Sequence, residues 1–406
     1  KTIIRSAFLV FLIMISYSCN KENSLLDEEA TPVNLQLPQI SINTNGTAIV
    51  DEPKIMAEMV VMEDDIIDFS GLIGIEIRGS SSQMFPKKQF GLETRDASEE
   101  GIDVSILGLP EEEDWILYAP YSDKSLIRNV LIYDLARDIG RYASRLNFAE
   151  VSINGDYNGL YVFMEKLKRD ANRIDINKLK VDENSGEDIT GGYILKIDKA
   201  DGADDTLYTD VNAITSDYAP MNATLNQKIH FVYDTPDEED ITDEQRQYIT
   251  NYMNAFEDAL AADNFTDAND GYAKYIDVDS FIDFFLLNEL SNNVDGFRLS
   301  TWLTKEKSEK LKMGPIWDFN LAFGNANYCG GGETNVWAYK FNERCSNDTW
   351  LIPFWWERLL SDPVFVSQLQ NRWDELRSGA FSNQYIINKI NSYTETLNAA
   401  GVFFIT

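Results

Sequence analysis

Asp295 and Asp318 are the residues whose placement points most directly to chemistry. The first follows an apolar helical stretch, Phe281 to Leu290, in the loop Ser291-Asn292-Asn293-Val294-Asp295-Gly296. Two strand-like segments, Phe297 to Leu303 and Lys310 to Met313, are joined by the charged turn Lys305 to Glu309 and lead into Gly314-Pro315-Ile316-Trp317-Asp318-Phe319-Asn320. Helix, loop carboxylate, hairpin, loop carboxylate is an order suited to phosphoryl transfer. That reaction needs positioning and charge compensation rather than a covalent nucleophile, so two carboxylates with a divalent metal and a basic group suffice. In a chain with 67 acidic residues, the same spacing also arises by chance.

Other chemistries are narrowed by what the sequence lacks. His230 is the single histidine and sits in the apolar run Ile229 to Tyr233, where a packed structural role is expected. One histidine argues against a Ser-His-Asp triad, a His-rich zinc site or a Cys-His pair. Neither a Gly-x-x-x-x-Gly-Lys-Ser/Thr loop nor a Gly-x-Gly-x-x-Gly fingerprint occurs. The Asp- and Asn-rich run 263–271 lacks EF-hand spacing and reads as a solvated turn. Two carboxylates could also serve a polysaccharide hydrolase, but among so many acids no pair stands out. The formal charge of -32 repels phosphate backbones and anionic lipid, so nucleic acid is not an expected partner.

The elements that must position these residues change character along the chain. From Leu37, short alternating segments separated by Gly and Ser turns read as strands: 39–42, 55–62, 73–77 and 89–92. Asp114 to Tyr118 is a further strand, followed by a helix capped by Ser122 or Asp123 and running to Ile139. A hairpin, 150–153 with 159–163, turns at Asn154-Gly155-Asp156, and 191–197 is one more strand. Beyond about residue 240 helices dominate: 243–261, 279–290 and 353–376. A β-rich part followed by a helix-rich part predicts a two-lobed α+β protein, and 406 residues with 44% apolar content can bury the cores this needs.

The start of the chain reads as an export signal. Lys1 and Arg5 supply positive charge, Ala7 to Ile15 form an apolar run well short of the roughly twenty residues that span a bilayer, and small residues surround Cys19. Residues 1–19 are therefore expected to be a lipoprotein signal peptide, with Cys19 acylated and the protein held on the outer membrane of a bacterial envelope by that anchor alone. Residues 20–36, polar and acidic, are an expected flexible tether. Export permits a disulfide between Cys329 and Cys345, worth about 3 kcal/mol by loop entropy.

Several segments, in order, make the chain resemble the spore coat protein H (CotH) kinase family. They are Ile77-Arg78-Gly79-Ser80-Ser81-Ser82 with Pro86 to Leu92; Asp114 to Leu117 with Ser122 to Asn129; Ile153 to Tyr161; Gly191-Gly192-Tyr193; Asn293 to Gly296; and Trp317 to Asn320 with Phe323-Gly324. The resemblance implies a bilobal protein-kinase-like fold over 37–406, with a β-rich lobe at about 37–166 and a helical lobe at 167–406. It also implies a chain that continues beyond Thr406. ATP and Mg²⁺ or Mn²⁺ would be the cofactors, and Ser or Thr of an exported protein the substrate.

Residue by residue, the resemblance puts Asp295 with Asn293 at the substrate hydroxyl and Asp318 at the metal. Asn320 stands where the family often has a second Asp. Lys87 or Lys88, with a lean to Lys88, would reach the phosphates, and Arg78 with Ser80 and Ser81 would cover them. Arg128 and Glu165 are ligand contacts or framework, and Trp115, Trp317 and Phe319 are expected core. The alternative is a non-catalytic, kinase-like surface scaffold or adhesin, consistent with Asn320 and the missing Gly-rich loop.

Overall fold

The computed structural model describes residues 36–200 and 208–402; the expected signal peptide with Cys19, and all of the tether except Gln36, lie outside the described residues. Seven strands come first: β1 (Gln39–Asn43), β2 (Ile55–Glu63), β3 (Ile66–Arg78), β4 (Gln89–Arg95), β5 (Asp114–Tyr118), β6 (Leu146–Ile153) and β7 (Asp156–Glu165). They form a closed barrel in the order β1-β2-β3-β4-β5-β7-β6. Closure comes from β1 lying parallel to β6, with Gln39 opposite Glu150 and Ile42 opposite Ile153.

Alternation along each strand sends one set of side chains inward, and Met59, Val61, Ile73 and Trp115 are fully buried there. Trp115 stacks on Phe163 with ring centroids 5.1 Å apart. At the β6–β7 turn, Asn154 and Gly155 have φ of 53° and 86°, the backbone of a tight hairpin turn that Asn and Gly adopt at least cost.

Helix α1 (Arg128–Asp138) connects β5 to β6. It begins later than the sequence predicts, because the Asp123 carboxylate accepts from the N–H groups of Ser125 and Arg128 and holds the preceding residues as a turn. The remainder contains β8 (Tyr193–Ile197), β9 (Ala213–Thr215), β10 (His230–Thr235), β11 (Thr301–Lys305) and β12 (Leu311–Ile316), a sheet of order β12-β11-β8-β10-β9. Around it lie α2 (Asp243–Ala261), α3 (Val278–Ser291), α4 (Phe341–Arg344), α5 (Trp355–Leu359), α6 (Pro363–Ser378) and α7 (Asn383–Ala399).

The fold is thus mixed α+β, but two expectations need correction. The β-rich part is a closed barrel, and the expected helical part is built on a five-stranded sheet. The single helix expected at 353–376 is two, since Asp362 caps the Val364 N–H and Pro363 starts a new helix where it has no N–H to lose.

α3 is apolar nearly all round and buried, as a helix enclosed by other elements should be. α2 is fixed at its start by a reciprocal cap between Thr242 and Gln245. Trp355 and Trp356, both at the start of α5, pack with Phe256, Phe281 and Phe284 into the same core. These rigid supports hold the loops at either end of β11 and β12.

Candidate functional site

The loop after α3 is set by backbone geometry. Asn292 ends the helix in the left-handed region at φ 44°, which Asn tolerates better than most residues. A Cβ on Gly296 would come within 2.2 Å of Asn288 Oδ1, so only glycine lets the chain pass this close. Asn293 is buried; its Nδ2 donates to Asn288 Oδ1 at 3.1 Å and its Oδ1 accepts from the Asp295 N–H at 3.3 Å. Asn293 therefore shapes the loop, and its side chain is occupied in doing so. Asp295 Oδ1 accepts from Arg298 at 2.6 Å and from the Tyr328 hydroxyl at 2.8 Å. Arg298 is itself buried and balanced by a second carboxylate, Asp348, at 3.2 Å.

At the end of β12 the chain turns sharply into Asp318, whose φ is +56°. α1 holds this conformation. The Asp318 N–H donates to Tyr133 Oη at 3.0 Å and the Phe319 N–H to Asn129 Oδ1 at 2.7 Å. Trp317 stacks on Tyr133 at 6.0 Å and carries the Arg78 guanidinium 5.8 Å from its ring centre. Trp317 is only partly buried, whereas Trp115 and Phe319 are core.

Three carboxylates and one guanidinium converge here. Burial first, then the charges of Asp295 and Asp198, push the Asp318 carboxyl up to about 6, while Arg78 and the Asn320 N–H oppose the rise. Asp198 is also raised, mainly by burial, although the N–H groups of Lys199 and Ser300 bond to its carboxylate. Burial depresses Arg78, with Asp318 the largest opposing influence. All four side chains are partly buried and keep part of their surface accessible. Asn320 is also partly accessible and gives its carbonyl to Asn325 Nδ2 at 2.7 Å.

Asp198 and its neighbour Lys199 escape the sequence reading. Lys199 Nζ lies 3.5 Å from Ser80 Oγ and 5.1 Å over the Trp350 ring, so it too faces the turn after Arg78. The available signal was an Asp-Lys pair directly after the apolar strand 193–197.

Lys87 and Lys88, of which one is expected to reach the phosphates, each donate to a backbone carbonyl. Lys87 donates to the Leu160 carbonyl, sits 4.4 Å over the Tyr161 ring, and is lowered by burial to about 8. Lys88 donates to the Gln83 carbonyl and closes the short turn Ser81–Met84, in which Ser81 is exposed. Both lysines immediately precede β4.

Arg128 and Glu165 are framework. Arg128 pairs with Asp123 and donates to the Ala322 carbonyl, whereas buried Glu165 binds Arg145 and Tyr142. His230 is packed as expected, stacked 3.8 Å on Tyr208, and burial lowers it to about 4. Cys329 and Cys345 form a disulfide, and Tyr328 immediately precedes it.

A second acidic group, Glu112, Glu113 and Asp114, could converge on an ion, but Lys168 already bridges all three at 2.6, 3.3 and 2.8 Å. It is a neutralised surface network. Two depressions, one beside Glu52 and Arg95 and one between α1, α3 and β12, also lie apart from Asp318.

The sequence pattern of the family described as CotH kinase protein matches residues 75–401, most of the chain. The protein belongs to the CotH kinase family, and its site falls within the matched region. A search of curated proteins finds no match.

Proposed function

We propose that this protein is an atypical, ATP- and divalent-metal-dependent protein kinase acting on Ser or Thr hydroxyls of exported proteins. The observation that carries the reading is the convergence of Asp318, Asp198 and Asp295 with Arg78, with the Asp318 carboxyl raised by burial and then by its two acidic neighbours. Clustered, half-desolvated carboxylates are costly without a cation, and hard oxygen donors of this kind suit Mg²⁺ or Mn²⁺. Asp318 and Asp198, with the amide of Asn320, would hold the metal. When bound, metal and nucleotide supply charge neutralisation and a transferable phosphoryl group.

The chain's own groups have distinct tasks in this reading. Asp295, oriented through Oδ1 by Arg298 and Tyr328, receives the substrate hydroxyl proton. Arg78 and Lys199 face the anionic phosphates, and Ser80 and Ser81 form the turn above them. In this reading the barrel and the sheet-and-helix remainder would serve as the two lobes of a kinase-like protein. A lipid-anchored, exported location agrees with the disulfide, which persists in oxidising compartments.

The engagement of Lys87 and Lys88 by backbone carbonyls favours a second reading, a kinase-like scaffold without transfer activity. γ-Labelled ATP with Mn²⁺ and a mixed Ser/Thr-rich protein acceptor separates the two. Label in the acceptor that disappears with Asp295→Asn supports the kinase, and no label with either metal leaves the scaffold.

A further inference from the structure

Both groups that hold the Asp295 carboxylate are tied to a half-cystine. Tyr328, whose hydroxyl donates to Asp295 Oδ1 at 2.8 Å, is the residue before Cys329. Arg298 donates to the same oxygen at 2.6 Å and is balanced by Asp348 at 3.2 Å. Asp348 in turn gives its N–H to the Cys345 carbonyl at 3.0 Å. The Cys329–Cys345 disulfide therefore links the two supports of one carboxylate oxygen.

The backbone at Cys329 has φ of +48°, a left-handed conformation that a residue with a side chain keeps only where its surroundings hold it. Arg344, next to Cys345, donates to the Cys329 carbonyl at 2.9 Å and so reinforces the same closure. Neither half-cystine is fully buried, and thiol exchange depends on such access. Other contacts bypass the sulfurs. Asn292 donates to the carbonyls of Gly330 and Gly331 at 3.0 and 3.2 Å, and Gln227 to that of Asp348 at 2.9 Å, so opening the bond loosens this loop without releasing it.

We propose that the Cys329–Cys345 disulfide is a redox-sensitive positioning device for Asp295. A dithiol donor that opens it frees Tyr328 and slackens the Arg298–Asp348 pair, and the carboxylate loses its fixed direction. In the exchange a donor thiolate attacks one cystine sulfur, the other leaves as a thiolate and takes a proton, and the donor's second thiol then resolves the mixed disulfide. The chain gains two thiols and the donor becomes a disulfide. The effect on phosphoryl transfer rests on Asp295 being the proton acceptor proposed above; the coupling of the disulfide to the Asp295 loop does not.

The test compares the full chain oxidised, reduced with dithiothreitol that is then removed, and reoxidised. Hydrogen exchange is followed alongside transfer from γ-labelled ATP with Mn²⁺ to the mixed Ser/Thr-rich acceptor. Reduction is expected to speed exchange of the peptide 296–300, where the Leu299 N–H donates to the Asp295 carbonyl at 3.0 Å, on the order of tenfold. Peptides from β2 and β3 should be unchanged, showing an intact fold. kcat should fall on the order of tenfold and recover on reoxidation. KM for Mn²⁺–ATP should stay constant, because Asp318 is held from α1 by Tyr133, outside the disulfide loop. Tyr328→Phe should lower kcat in the oxidised protein and shrink the further effect of reduction. Exchange at 296–300 that ignores reduction overturns the proposal whether or not the chain transfers phosphate. Faster exchange with full kcat overturns the control of transfer and leaves the kinase reading standing. No transfer by the oxidised protein removes the kinase reading, and exchange at 296–300 then decides the coupling by itself.

Discussion

Replacing Asp318 with Asn should make the metal-free protein more stable, and the gain should depend on pH. The folded-state value of about 6 lies above the ordinary 3.8, so the folded chain holds a proton there that the unfolded chain has released. Between about pH 3.8 and 6 the wild type therefore loses stability as pH rises, and above 6 the full cost of the ionised carboxylate is present. The rise from 3.8 to about 6 corresponds to about 3 kcal/mol, reduced to about 2 kcal/mol because the side chain keeps some contact with water.

Asn retains the left-handed backbone at this position at little cost, so the substitution isolates the charge. Thermal unfolding of both proteins from pH 4 to 8 in chelator is the assay. The two should unfold together near pH 4 and diverge by a few degrees above pH 6, the Asp318→Asn variant being the more stable. A variant less stable than wild type at pH 8, or a difference that ignores pH, refutes the idea that the buried, clustered carboxylates destabilise this site.

Glu257 offers the same logic away from the site. It is buried, accepts from Ser216 at 2.7 Å and Trp355 at 2.8 Å, and burial pushes it up to about 7. Glu257→Gln keeps the Trp355 bond on Oε1 and reverses the other, its Nε2 donating to the Ser216 hydroxyl, and should add about 2–3 kcal/mol at pH 8 and nothing near pH 4.5, measured by denaturant midpoints. Lys199→Met should weaken Mn²⁺–ATP binding on the order of tenfold while leaving binding of Mn²⁺ alone unchanged, measured by calorimetry. Cys329→Ala with Cys345→Ala should lower unfolding free energy by about 3 kcal/mol in non-reducing buffer, and the pair should become equal once wild type is reduced.

What the sequence made legible was what local chemistry encodes. The helix at 243–261 carries its own caps, and the Asn154-Gly155 turn dictates a hairpin. Two cysteines in a chain expected to be exported suggested the disulfide. Barrel closure was not legible, because it depends on residues 39–42 meeting 150–153 across more than a hundred positions, and no local pattern records that pairing.

Asp318 and Asp295 stood out because they flank a hairpin. Asp198 did not, since one acid among 67 is visible only when the fold brings it to the other two. The lysine environments were hidden for a related reason. Lys87 and Lys88 precede a strand and donate to the Leu160 and Gln83 carbonyls, while Lys199, far along the chain, is brought to Ser80.

The most direct test of the central claim is titration of Mn²⁺ and ATP, separately and together, into wild type, Asp318→Asn and Asp198→Asn. The account predicts metal-dependent nucleotide binding in wild type and its loss in both variants, with each variant folded. Binding that survives both substitutions, or its absence from folded wild type, would contradict the assignment of this carboxylate cluster as a nucleotide–metal site.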